Sequence, residues 1–139
     1  MIVVDTNVLS EPLKPRPDPS VLHWLDAQDP SALYLAAPVF AEVSVGVALL
    51  PAGKRKRGME QSMQLLLSRL FEDRFLPFDR SAAITFALLV SRAAANGYAI
   101  PVADCQIAAI AAVHGFAVAT RDVAPFRAAG VPVINPWQS

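Results

Sequence analysis

Short apolar runs alternate with longer stretches of helical periodicity along this chain. Met1–Val4, Leu33–Ala36, Arg74–Phe78, Phe116–Ala119 and Val131–Ile134 read as strands. Helices are predicted over Val8–Leu13, from Asp18-Pro19-Ser20 to about Ala27, from Pro38 to about Leu50, and from Lys54 to about Phe71. Three more follow, over about Ser81–Asn96, Val102–His114 and Asp122–Ala129. The boundaries have local causes. Asp5, Asp18, Asp79 and Asp122 are good N-cap types, Asn96-Gly97 and Gly115 suit helix ends, and Pro38 suits a first turn. The Pro38–Leu50 helix is apolar on nearly every side, which predicts deep burial. Strands alternating with helices imply an α/β protein whose parallel sheet is covered on both faces. In such folds ligands bind beyond the carboxyl ends of the strands.

Four acids break this apolar pattern. Asp5 ends the first strand, Glu42 interrupts the apolar helix, Asp104 opens an Ala/Ile helix, and Asp122 follows the fourth strand through Thr120-Arg121. A carboxylate in apolar surroundings is costly without compensation. All four fall at strand ends or helix starts, so they can converge on one sheet edge. Two carboxylates about 4 Å apart repel by roughly 4 kcal/mol at an effective dielectric near 20, so a cluster of them calls for a cation. All-oxygen donors favour Mg²⁺ or Mn²⁺, and such ions activate water and stabilise the leaving oxygen of a phosphodiester. Each acid also has a structural reading: Asp5, Asp104 and Asp122 as helix caps or first-turn acids, and Glu42 as a buried ion pair with Arg80, Arg92 or Arg121. Thr6, Asn7, Thr120 and Arg121 stand beside the acids as supporting residues, Arg121 as a phosphate contact or as a partner of Asp122.

The 139 residues fit one domain, residues 1–139, and a 54% hydrophobic content excludes a disordered chain. Pro38 and Glu42 argue against a membrane span in the longest apolar stretch, and no basic leader precedes Asp5, so a cytoplasmic location is expected. Twelve basic and twelve acidic residues balance, so global charge announces no nucleic-acid partner. Four of those bases nevertheless form one run, Lys54-Arg55-Lys56-Arg57, which reads as a solvated helix start or as a site for RNA phosphates. The lone cysteine, Cys105, excludes an intrachain disulfide; beside Asp104 it reads as a small apolar helix residue or as a nucleophile. Neither histidine has a partner spacing that suggests zinc.

Taken in order, the acidic segments resemble a known family. Met1-Ile2-Val3-Val4-Asp5-Thr6-Asn7-Val8-Leu9-Ser10-Glu11, Ala41-Glu42-Val43, Ala103-Asp104-Cys105-Gln106-Ile107-Ala108-Ala109 and Phe116-Ala117-Val118-Ala119-Thr120-Arg121-Asp122 resemble the four motifs of PIN-domain ribonucleases. Their order and spacing are similar to the VapC-like toxins of type II toxin–antitoxin pairs, in particular the FitB-like subgroup, as is the closing Asn135-Pro136-Trp137. The resemblance implies a three-layer α/β/α fold and a Mg²⁺- or Mn²⁺-dependent endoribonuclease, with Asp5, Glu42, Asp104 and Asp122 as catalytic and metal-binding acids. It also implies a homodimer, an antitoxin whose tail covers the active-site groove, and promoter DNA bound through that antitoxin. Many relatives carry Asn at the position of Asp122 and Asp three residues later; here that later residue is Pro125, leaving Asp122 as the fourth carboxylate.

Two other classes compete. A haloacid-dehalogenase-like phosphatase also begins with a strand ending in Asp, but it needs a second Asp where Asn7 stands. A non-catalytic interaction domain would use the acids only as caps and salt bridges.

Overall fold

The computed structural model describes residues 1–138. Five parallel strands form the sheet: β1 (Ile2–Val4), β2 (Leu33–Ala36), β3 (Phe75–Leu76), β4 (Ala117–Ala119) and β5 (Val133–Ile134), in the spatial order β3-β2-β1-β4-β5. The chain thus builds outward from β1 on one side, then returns to lay β4 against its other edge. The reversal beside β1 is a topological switch point, where α/β sheets open a crevice at their carboxyl ends.

Among the described residues seven α-helices accompany the strands: α1 (Thr6–Ser10), α2 (Pro19–Ala27), α3 (Ala37–Ala48), α4 (Lys54–Phe71), α5 (Arg80–Ala95), α6 (Val102–His114) and α7 (Val123–Ala128). Their starts are chemically marked. Asp18 Oδ1 accepts from Ser20 N–H at 2.8 Å, and Asp79 Oδ1 accepts from Ala82 N–H at 3.0 Å. Gly115 ends α6 in the left-handed region at φ 70°, where a Cβ would be strained. The alanines of α6 lie fully buried at 108, 109 and 111, so this helix seats closely on the sheet. Val3, Val4, Leu33, Leu35, Val118 and Phe126 are completely buried and form the centre of the core.

The structure corrects several expectations. The third strand is two residues rather than Arg74–Phe78; Arg74 stands at its edge, its carbonyl accepting from Leu35 N–H at 3.0 Å while its side chain donates to Leu33 O and Leu70 O. The first helix begins at Thr6 and continues as a 3-10 turn over Glu11–Leu13. The last strand is confined to Val133–Ile134. Most consequentially, α3 is not deeply buried. Only the i, i+4 stripe Val39, Val43 and Val47 reaches the core; Phe40 and Val45 remain 40% and 55% exposed, and Glu42 is exposed as well. Uniform apolarity therefore did not mean burial, since one face of a twelve-residue helix is all that the sheet covers. Among the described residues, no helix is long and apolar enough to cross a membrane.

Candidate active site

The β1–β4 register creates the site. Val4 pairs with Ala119, and Asp5 N–H donates to Ala119 O at 2.9 Å. This brings Asp5, just past β1, opposite Thr120, just past β4. Thr120 is fully buried, and its hydroxyl donates to Asp5 Oδ2 at 2.7 Å. The same Oγ1 accepts from Asn7 Nδ2 at 3.2 Å and from Asp122 N–H at 3.0 Å. Asn7 Oδ1 in turn accepts from Arg121 N–H at 3.2 Å. One hydroxyl thus ties the two strand ends together and fixes Asp5 from one side. From the other, Thr6 N–H donates to Asp5 Oδ1 at 2.7 Å. Asp5 is both an N-cap and a site residue.

The remaining acids gather around Asp5. Burial pushes the Asp5 carboxyl upward, the Thr120 and Thr6 hydrogen bonds lower it, and the charges of Glu42 and Asp122 raise it again. Asp104, in the first turn of α6, is raised to about 6, first by desolvation and then by Asp5, Asp122 and Glu42. The four sequence-selected acids therefore share one electrostatic neighbourhood although they come from four separate elements. Their environments differ from the expected ones: Asp5 is buried, Asp104 half-buried, and Glu42 and Asp122 exposed. Asp122 stands at the N-cap of α7, yet its side chain makes no capping bond. None of the four acids forms an ion pair among the described residues, which removes the salt-bridge reading of Glu42.

Does this set suit a divalent cation? Among the described residues, no three His, Cys, Asp or Glu side chains are already grouped tightly enough to hold one. The acids interact through space without being collapsed onto a common point, as repelling carboxylates do. Three features fit Mg²⁺ or Mn²⁺ nonetheless. The donors are all oxygens, Asp104 feels the charges of the other three acids, and Thr6 Oγ1 is buried beside Asp5 without a hydrogen-bond partner. Mg²⁺ keeps several waters and needs only one or two direct carboxylates, so a loose acidic set with a spare hydroxyl is adequate.

A groove of about 520 Å³ runs from Thr6 and Glu42 along α3, past Val43, Gly46 and Val47, to Arg55 and Met59 of α4. Arg55 thus lines this groove. Lys56 does not; its Nζ donates to Ala48 O at 3.0 Å and closes the end of α3. Lys54 and Arg57 are exposed. Cys105 is fully buried, and burial followed by Asp104 raises its thiol, so the small-apolar reading holds and the nucleophile reading does not. Arg121 is not paired with Asp122. Its guanidinium lies over the Trp137 ring, 5.1 Å from the centroid.

Sequence reasoning missed two residues. Glu11 is 5% exposed, pairs with Lys14 at 2.9 Å and accepts from Asp18 N–H, which folds the proline-rich connection back onto α1. Trp137 carried only a resemblance and no role. A polar residue i, i+3 from a lysine was the one available signal for Glu11; for Trp137 there was none.

Fold and site together define a class: a parallel α/β domain with four acids in one electrostatic neighbourhood at the carboxyl edge of its sheet, beside the switch point. The chain belongs to the PIN-domain family, whose model matches residues 2–131. It is 47% identical over 138 residues to the VapC ribonuclease Y4jK of Sinorhizobium fredii, covering 99% of each chain. It is 45% identical over 137 residues to Toxin FitB of Neisseria gonorrhoeae, again covering 99% of each. The solved FitAcB structure from Neisseria gonorrhoeae superposes with a TM-score of 0.95 at 45% identity, covering 100% of both chains.

Proposed function

We propose that this protein is a divalent-metal-dependent endoribonuclease acting as the toxin of a type II toxin–antitoxin pair. The observation that carries the chemistry is Asp104, raised to about 6 first by desolvation and then by the charges of Asp5, Asp122 and Glu42 around it. A Mg²⁺ or Mn²⁺ ion held chiefly by Asp5 and Asp104, with Glu42 and Asp122 beside it, would lower the pKa of a water and neutralise charge at the phosphodiester. The chain's own residues do the rest. Thr120 and Thr6 N–H fix the Asp5 carboxylate, Asn7 and Thr120 lock the two strand ends, and Arg55 offers a cation for RNA phosphate at the groove.

The toxin role is supported by the near-full-length similarity to proteins named VapC ribonuclease and Toxin FitB. An antitoxin tail in the groove along α3, and promoter DNA bound through that antitoxin, belong to the same proposal. The exposed Phe40, Val45, Ile84 and Leu88 support the homodimer. The phosphatase reading has no support, because the Asn7 amide is engaged at both ends and the family is a different one.

The deciding experiment incubates purified protein with structured RNAs in Mg²⁺, Mn²⁺ or EDTA, beside Asp5→Asn and Asp104→Asn. Cleavage in either metal, none in EDTA, and a loss of roughly 10²–10³-fold in both variants are expected. Variants that cleave at the wild-type rate would sink the assignment. A wild type inert under every condition favours the non-catalytic interaction domain.

A further inference from the structure

Arg121 is the cation nearest in sequence to the fourth acid, yet it takes no carboxylate. Among the described residues its guanidinium makes no ion pair, and its one close partner is the Trp137 ring. Coulomb attraction alone would direct this arginine onto Asp122, which is next in the chain and whose side chain is uncapped. Something holds it elsewhere, and Trp137 is built to do so. The ring packs against the core, and its backbone N–H donates to Asn135 Oδ1 at 3.0 Å. It lies in the 3-10 turn Pro136–Gln138, which rests on α2. Arg121 is fixed at its root as well, through the backbone bond to Asn7. An aromatic face attracts a guanidinium without consuming its N–H donors, and that planar fork matches phosphate oxygens.

We propose that Trp137 is a positioning residue that keeps the Arg121 guanidinium off the site acids and presents it to a backbone phosphate of bound RNA. This rests on the ribonuclease reading above. Arg121 touches the substrate; Trp137 acts only through Arg121.

The test measures binding rather than turnover. Fluorescence anisotropy of a labelled single-stranded RNA is followed in EDTA across a salt series, with thermal melts of every variant. Arg121→Ala is expected to weaken binding several-fold and to flatten the salt dependence by about one phosphate's worth, roughly 0.7 in log–log slope. Trp137→Leu, which keeps an apolar filler and removes the π-face, should do the same; Trp137→Phe should restore most of the affinity. The Arg121→Ala/Trp137→Leu double variant should bind no worse than Arg121→Ala alone. A Trp137→Leu protein that melts earlier but keeps the wild-type slope, or effects that simply add, would overturn the inference. RNA affinity that ignores Arg121→Ala overturns it while sparing the nuclease. A wild type with no affinity for RNA overturns both.

Discussion

Thr120 has no charge, yet it determines how the charged residues sit. Its single buried hydroxyl serves Asp5 Oδ2, Asn7 Nδ2 and the Asp122 N–H at once. Thr120→Val should therefore cost about 1–3 kcal/mol in chemical denaturation, because several buried polar groups lose one partner together. RNA cleavage should fall roughly 10–100-fold with it. Because the Thr120 bond lowers the Asp5 carboxyl, its loss should also move the acid limb of the rate profile to higher pH. Thr120→Ser should recover most of each effect. Asp104 sets that limb in the wild type. Raised from 3.8 to about 6, it is protonated and a poor metal ligand below that value, so activity should climb as pH rises through about 6. Stability of the metal-free protein runs the opposite way. The folded chain holds this proton more tightly than the unfolded chain does, so the contribution of Asp104 is fully present below about 3.8 and is lost as pH rises through about 6. Asp104→Asn should remove that decline and raise the metal-free Tm at pH 7, by roughly 2 °C or more, as calorimetry can check.

Helices and strands were legible in proportion to how local their causes are. Asp18 and Asp79 cap where their types predict, and the glycine ending α6 takes the left-handed turn expected of it. What the sequence could not disclose was which face of α3 meets the sheet; composition reports apolarity but not orientation. Glu42 was selected because burial seemed to leave it no structural role, yet it is exposed, and its place at the groove rather than its desolvation now argues for it. The basic run shows the same limit. Four adjacent cations look equivalent in sequence, but the start of α4 points Lys56 at Ala48 O and Arg55 at the groove. Lys56→Ala should thus lower stability by about 0.5–1 kcal/mol with little effect on RNA affinity. Arg55→Ala should weaken RNA binding at nearly constant Tm. Equal effects of the two on binding would return the run to a generic electrostatic patch.

At the scale of the molecule, the order β3-β2-β1-β4-β5 converts four scattered motifs into one site. The strand–helix alternation predicted a parallel sheet and a carboxyl-edge crevice; the Arg121–Trp137 contact lay beyond it, since nothing local joins those positions. Two tests belong here. Mn²⁺ at about a hundred times its Kd should stabilise the wild type by roughly 2.7 kcal/mol and Asp104→Asn by clearly less, read as Tm shifts. Ile84 and Leu88 sit one turn apart on α5, 57% and 58% exposed. If this face closes the dimer, Leu88→Glu should shift light-scattering mass from two chains to one without unfolding the protein.

The bond between Asp5 and Thr120 spans 115 positions of chain. An early β1 waits for a neighbour synthesised long after it, with β2 already able to pair on its other edge and β3 on β2. A nascent chain halted before β4 has Asp5, Glu42 and Asp104, but no buried Thr120 hydroxyl to hold the first and no Asp122 beside it. The Asp5 carboxylate of the proposed site is therefore held in place only once β4 and Thr120 are added. Fragments that stop before β4 should therefore cleave RNA far more slowly than the whole domain, as an RNA-cleavage assay of truncated chains can check.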